Sequence, residues 1–191
     1  MAQRGLARVE KKACRERRIL VFVDESGFYL LPGIVRTYAP RGQTPVLRYF
    51  LARDHLAVMS GITPQGHLYT LTREQPLTSV ESVIFLCHLR RRLQRDLLVC
   101  WDGSPIHRSE VVKTFLAEGG AGFVHLEAMP AYAPELNPDE GVWQHLKNVE
   151  MRNLCCNDMP HLSKELNLAV KRLRNKPSLI KSFFAQAGLD I

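Results

Sequence analysis

The chain has no C-x-x-C pair, no apolar stretch near the roughly 18 residues that cross a bilayer, and no apolar core after its basic N-terminus that would make a secretory signal. Its cysteines (Cys14, Cys87, Cys100, Cys155, Cys156) are odd in number, a poor fit to a disulfide framework. A soluble protein of the reducing cytoplasm, without membrane contact, is the expectation. Cys155-Cys156 with His161 lacks the usual spacing of zinc ligands. The patterns G-x-S-x-G, H-E-x-x-H and G-x-x-x-x-G-K-[ST] are all missing, so a hydrolase elbow, a zincin and a P-loop have no signal. Aromatic residues reach only 8%, which leaves little for a sugar-stacking cleft. Internal repeats and low-complexity tracts are absent as well.

Acidic side chains are also in short supply: 19 Asp and Glu face 26 Lys and Arg, a net charge of +7. The excess is concentrated in two places. Residues 1–18 carry Arg4, Arg8, Lys11, Lys12, Arg15, Arg17 and Arg18, and residues 160–182 carry Lys164, Lys171, Arg172, Arg174, Lys176 and Lys181. A polyanion such as nucleic acid fits this distribution, and an ordinary solvated surface fits it equally well. With 46% hydrophobic and 24% charged residues over 191 positions, one globular domain is expected.

Residues 1–18 show little hydrophobic periodicity and no material for a core. From Ile19 short β-rich runs follow at 19–24, 28–38, 46–50, 55–62 and 67–72, separated by Pro/Gly turns, which predicts a mostly antiparallel meander. Thr78 and Glu81 have capping-box spacing and open a helix whose apolar arc is Val80, Val83, Leu86, Cys87 and Leu93. A strand at 97–101, a helix at 109–118 ended by Gly119-Gly120 and a strand at 122–126 imply parallel crossovers joined to the meander. The fold class is therefore α/β, a mixed sheet flanked by helices. Asn137 as N-cap and Pro138 at the first helical position should start a helix with Val142, Trp143, Leu146 and Val149 buried. Residues 162–187 read as one or two helices interrupted near Pro177, with Leu168 among the apolar anchors.

Three acids stand out. Asp24 closes the run Ile19–Val23, Asp102 closes Leu97–Trp101, and Glu140 lies just after Leu136-Asn137-Pro138. If both runs are neighbouring buried strands, their carboxylates meet where mutual repulsion demands a cation or a proton. Hard divalent ions take such oxygen ligands and keep positions open for phosphate. Each acid has a simpler explanation. Asp24-Glu25-Ser26-Gly27 and Asp102-Gly103-Ser104-Pro105 are good turns, and Glu140 completes a capping box with Asn137 and suits a helix N-terminus. A helical wheel puts Asp139 nearer the buried stripe than Glu140, so spacing alone does not choose between them. His107 reads as a local hydrogen-bonding residue that orients a ligand or meets a phosphate.

Four stretches in order carry a family resemblance: Phe22-Val23-Asp24-Glu25-Ser26-Gly27-Phe28; Tyr38-Ala39-Pro40-Arg41-Gly42-Gln43-Thr44-Pro45; Trp101-Asp102 through His107-Arg108-Ser109; and Tyr132-Ala133-Pro134-Glu135-Leu136-Asn137-Pro138-Asp139-Glu140 with Trp143. Over residues 20–153 the chain resembles the DDE catalytic domain of bacterial insertion-sequence transposases related to the mariner group. The resemblance implies a ribonuclease H-like five-stranded mixed sheet over 19–155, preceded by a basic arm or linker at 1–18 and followed by a helical extension at 156–191. It implies Asp24, Asp102 and Glu140 as ligands of two Mg²⁺ ions, replaceable by Mn²⁺, with Asp24 bridging, and DNA cleavage and strand transfer as the reaction. Arg41, Arg108, His107 and Asn137 become contacts to DNA or supports of the ligands. Transposon ends and target DNA are the implied partners, with a homodimer and a separate helix-turn-helix chain, in the bacterial cytoplasm at the nucleoid.

The chain departs from the family in three respects. Gly103 stands where Asn is usual, 37 residues separate Asp102 from Glu140, slightly more than usual, and nothing before Ile19 could form the DNA-binding module such transposases carry. A catalytic half is therefore expected: a separate reading frame, a truncated copy or an excised domain. A DNA-binding remnant that no longer cuts, a general ribonuclease H-like nuclease, and a two-carboxylate glycosidase are the competing readings.

Overall fold

The first apolar run builds the axis of the sheet. In the computed structural model, which describes residues 2–49, 53–130 and 134–189, strand β1 (Ile19–Tyr29) has Leu20, Val21, Phe22 and Val23 all buried, so both of its faces are covered. β2 (His55–Ile62) and β3 (Leu68–Arg73) extend the sheet antiparallel on one side; β4 (Leu97–Trp101) and β5 (Val124–Ala128) extend it parallel on the other. The order β3-β2-β1-β4-β5 gives the five-stranded mixed sheet expected. Strand alternation then divides the core into two layers. Leu20, Phe22, Leu98 and Cys100 face one cluster, and Val21, Val23, Val99 and Trp101 face the other.

Helices α2 (Ser79–Leu93) and α3 (Glu110–Ala117) cover the second face, with Phe85, Leu86, Leu89 and Val112 inserted. The Thr78–Glu81 capping box forms as the spacing required, and Ser109 caps α3. The first face carries α1 (Ala2–Arg15), α4 (Asp139–His145), α5 (Met159–Arg174) and α6 (Pro177–Gln186), the last two parted at Pro177. Among the described residues no helix is long and apolar enough to cross a membrane.

Several expected elements differ. β1 does not stop at Asp24; it continues to Tyr29 because residues 24–29 keep pairing with β2, Asp24 opposite Ser60. The strands expected at 28–38 and 46–50 do not form. Residues 30–49 lie outside any helix or strand, with Ile34 72% and Val46 78% exposed, and residue 50 is outside the described set. Residues 2–15 are helical, and Ala13 enters the core, which the polar sequence around it concealed. Val80 and Val149, set on buried faces by helical periodicity, and Leu168, expected as an apolar anchor, are exposed. In the case of Val149 the reason is local: α4 passes into a π-helical turn at Leu146–Glu150, which rotates the following residues away from the stripe.

α4 lies unusually close to α6. A Cβ built on Gly141 would come within 2.6 Å of Phe183 Cγ and 2.9 Å of its Cβ, atoms that cannot swing aside. Gly141→Ala is expected to destabilise the protein by about 1–3 kcal/mol through overpacking, measured as a lowered midpoint in thermal denaturation.

Candidate metal centre

Parallel pairing of β1 with β4 ends at Phe22–Cys100. Two residues farther along each chain are Asp24 and Asp102, so the register delivers both acids to the same end of the sheet, where β4 stops and β1 runs on. α4 closes this end from the first face. There Asp24 accepts hydrogen bonds on Oδ2 from Asn137 Nδ2 at 2.9 Å and from the Trp143 indole at 3.0 Å. Both donors hold the carboxylate in one orientation.

The neighbourhood is overloaded with negative charge. Burial raises the pKa of Asp24 to about 6; the Trp143 hydrogen bond opposes this, and Glu25 and Glu140 add to it. Asp139 is fully buried, and its pKa is raised well above the ordinary carboxylate range by burial and then by Asp24. Its Oδ1 accepts the Ser60 hydroxyl, while Oδ2 has no hydrogen-bond partner. Glu140, half-buried, lines an open cleft of about 440 Å³ with Asn137, Gln144 and Phe183. Lys147 supplies a cation close enough to act on these acids: its Nζ donates to Ser26 Oγ at 2.7 Å and lies 5.4 Å over the Phe28 ring. Burial lowers its pKa, and Glu140 and Asp24 oppose that. Asp24, held in one orientation, with the half-buried Glu140 raising its pKa and Asp102 delivered to the same end of the sheet, is an all-oxygen donor set of the kind that fits a divalent cation.

Asp102 has a different environment. Its Oδ1 accepts from the Ser104 backbone N–H at 2.9 Å, the turn its local sequence suggested, and lies 2.9 Å from His107 Nδ1. His107 Nε2 is 2.9 Å from Glu25 Oε1. Burial works against charge on this imidazole, but Glu25 and Asp102 prevail and its pKa is raised. Glu25, Asp102 and His107 each offer a ligand atom within 4.8 Å of the others, the group among the described residues with spacing suited to a metal ion.

The structure thus brings Asn137 and Glu140 to Asp24, and His107 to Asp102. Arg41 and Arg108 are exposed and form no ion pair among the described residues, and Tyr132 and Ala133 of the fourth motif lie outside those residues. Asn137 caps its helix only in part. Its Oδ1 accepts from Asp139 N at 3.1 Å rather than from the Glu140 N–H, so Pro138 occupies the N-cap position and the capping box with Glu140 does not form, while its Nδ2 donates to Asp24. Sequence reasoning missed Glu25, Ser60 and Lys147. The first adjoins Asp24 on the opposite strand face, the second becomes its neighbour only through β1–β2 pairing, and the third lies seven residues beyond Glu140, two helical turns on. Several basic residues are already engaged within the fold: Lys12 with Glu127, Arg18 with Glu16, Arg172 and Lys176 with Glu150, and Arg174 with the Leu68 carbonyl.

Comparison with solved structures gives matches to the catalytic domain of Mos1 mariner transposase, at 15% identity and TM-score 0.53, covering 100% of this chain and 95% of that one. A pre-cleavage Mos1 transpososome matches at 17% identity and TM-score 0.61, covering 100% of this chain and 63% of its own. A simian T-cell lymphotropic virus intasome matches at 16% identity and TM-score 0.54, covering 80% of this chain and 47% of that one. This chain spans 61% to 63% of the transposase chains in the first Mos1 complexes it matches. These likenesses share the ribonuclease H-like fold. Comparison with curated proteins by sequence yields no match. The family described as DDE superfamily endonuclease matches residues 19–158. With the matched segment covering most of its length, the chain belongs to the DDE superfamily endonucleases.

Proposed function

We propose that the chain is the catalytic domain of a DNA transposase, cutting DNA strands and joining them to a target in a divalent-metal-dependent reaction. The observation that carries this reading is the Asp24 carboxylate, pinned by Asn137 and Trp143 and crowded by Glu140 and Asp139 at the end of the sheet to which Asp102 is also delivered. Asp24, Asp102 and Glu140 are the proposed ligands of two Mg²⁺ or Mn²⁺ ions. When bound, such ions make a hydroxyl a better nucleophile and stabilise the leaving oxygen.

Around them the chain's own groups have distinct tasks. Asn137 and Trp143 orient Asp24. Lys147, held by Ser26 beside the acids, is placed to meet a backbone phosphate. Arg41 and Arg108 lie exposed and ready to hold the DNA, giving salt-sensitive binding. Mos1 transposase forms paired-end complexes with Mg and with Mn and a strand transfer complex, which supports DNA ends as the substrate here. A second copy and a separate helix-turn-helix chain are the proposed partners, and the nucleoid-containing bacterial cytoplasm the proposed location.

Incubation of the chain with supercoiled plasmid and with RNA and hybrid duplexes, in Mg²⁺, Mn²⁺ or chelator, tests the reading. DNA nicking that requires the ion is expected; equal or better cleavage of RNA strands would assign a general nuclease instead. The engagement of Asp102 by Ser104 and His107 favours one second reading, a DNA-binding remnant that does not cut. It predicts binding without nicking under every ion condition.

A further inference from the structure

His107 is positioned with unusual constraint for a residue on a short surface turn. Its side chain is 0% exposed, and its ring lies flat on Trp101, centroids 4.1 Å apart and planes 1° from parallel. With the plane so fixed, Nε2 points to Glu25 and Nδ1 to Asp102, both at 2.9 Å. Glu25 reaches the ring because strand alternation turns it to the face opposite Asp24. Asp102, 51% exposed at its side chain, is the member open to solvent, tied by its Ser104 and His107 contacts.

An imidazole with a carboxylate on each ring nitrogen, one atom from each residue within 4.8 Å of the rest, differs chemically from the all-oxygen set around Asp24: an ion can take only one ring nitrogen, so at Nε2 it would sit beside Glu25 and draw Asp102 across from Nδ1. Mg²⁺ selects oxygen donors; imidazole suits Zn²⁺ and the later first-row divalent ions, which also bind such sites more tightly. The stack on Trp101 presets the pairing of Nε2 with Glu25, which lowers the cost of placing those two ligands. We propose that Glu25, Asp102 and His107 form a binding site for a Zn²⁺-class transition-metal ion, and that its occupation withdraws Asp102 from the catalytic centre and so inhibits cleavage. The inhibitory part rests on Asp102 serving the proposed nuclease reaction; the binding part does not.

The two tryptophans of the chain allow the two sites to be read separately. Trp101 stacks on His107, and Trp143 bonds Asp24. In full-length Trp143→Phe protein, Co²⁺ is expected to quench Trp101 fluorescence saturably, Zn²⁺ to compete for the same site, and a hundredfold excess of Mg²⁺ to leave it occupied. Glu25→Gln, which keeps the ring and its stack, should weaken the Co²⁺ response at least tenfold, and His107→Gln should do the same. Absence of saturable quenching, an undiminished response in folded Glu25→Gln protein, or displacement by Mg²⁺ as readily as by Zn²⁺ overturns the proposal. Inhibition of Mg²⁺-supported nicking by Zn²⁺, at the concentration that fills the Trp101 site, supports the inhibitory part; full nicking with that site filled overturns it. The converse protein, Trp101→Phe, reports Mn²⁺ at Asp24 through Trp143, so failure of the catalytic reading appears there and not at Trp101.

Discussion

Asp24→Asn is expected to cut metal-dependent nicking about a thousandfold or more and to make the metal-free protein more stable. The first effect follows from removing a ligand: losing several kcal/mol of transition-state stabilisation lowers the rate by about a thousandfold or more. The second follows from the raised pKa. Unfolded, Asp24 titrates near 3.8; folded, at about 6. The folded form therefore holds the proton more tightly, and as pH rises through that window the proton is lost and stability falls. At pH 7 and above the buried charge costs on the order of 3 kcal/mol. Asn accepts the same bonds from Asn137 and Trp143 without the charge, so a gain of about 2 kcal/mol, roughly 4–8 °C in Tm, is expected. Asp139 titrates in the same direction, so wild type should lose stability from pH 4 to 7 and the variant should lose less. Thermal scans with and without Mn²⁺ check this: Mn²⁺ should raise the wild-type midpoint and leave that of Asp24→Asn unmoved. A metal-free variant less stable than wild type at pH 8 would contradict the account of the site.

Glu140→Gln should also reduce nicking by about a thousandfold, whereas Asp139→Asn should keep it within about tenfold of wild type. The two acids are neighbours in sequence and differ in surroundings. Glu140 lines the open cleft, where substrate can reach it. Asp139 is sealed inside against Ser60, with burial and the Asp24 charge both favouring its neutral form. Asn is isosteric with a neutral acid, so the substitution preserves shape and the Ser60 contact. Nicking assays under one Mn²⁺ concentration rank the two, with circular dichroism to confirm folding. A reversed ranking would make Asp139 the third ligand.

Much of this architecture is legible in the order of residues. The apolar runs at 19–23 and 97–101, the Thr78–Glu81 box and the Pro177 break each express a local rule that holds wherever the segment sits. Where contacts come from afar, local rules fail. Asp24 reads as a turn residue because Ser and Gly follow it, yet pairing with Ser60 carries β1 onward. Ala13 looks like part of a solvated arm, but Lys12 pairs with Glu127 more than a hundred residues later and its helix docks.

What the amino-acid order alone determined is which acids stand at the ends of which buried runs, since hydrophobic period and turn chemistry are set within a few residues. What tertiary structure decided is how those acids are partnered: Asp24 with Trp143 and Asn137, Asp102 with His107 and, through it, Glu25, and Asp139 shut away from the cleft that Glu140 lines. Burial and the field of neighbouring charges are properties of the assembled fold, and they distinguish carboxylates that look alike in sequence.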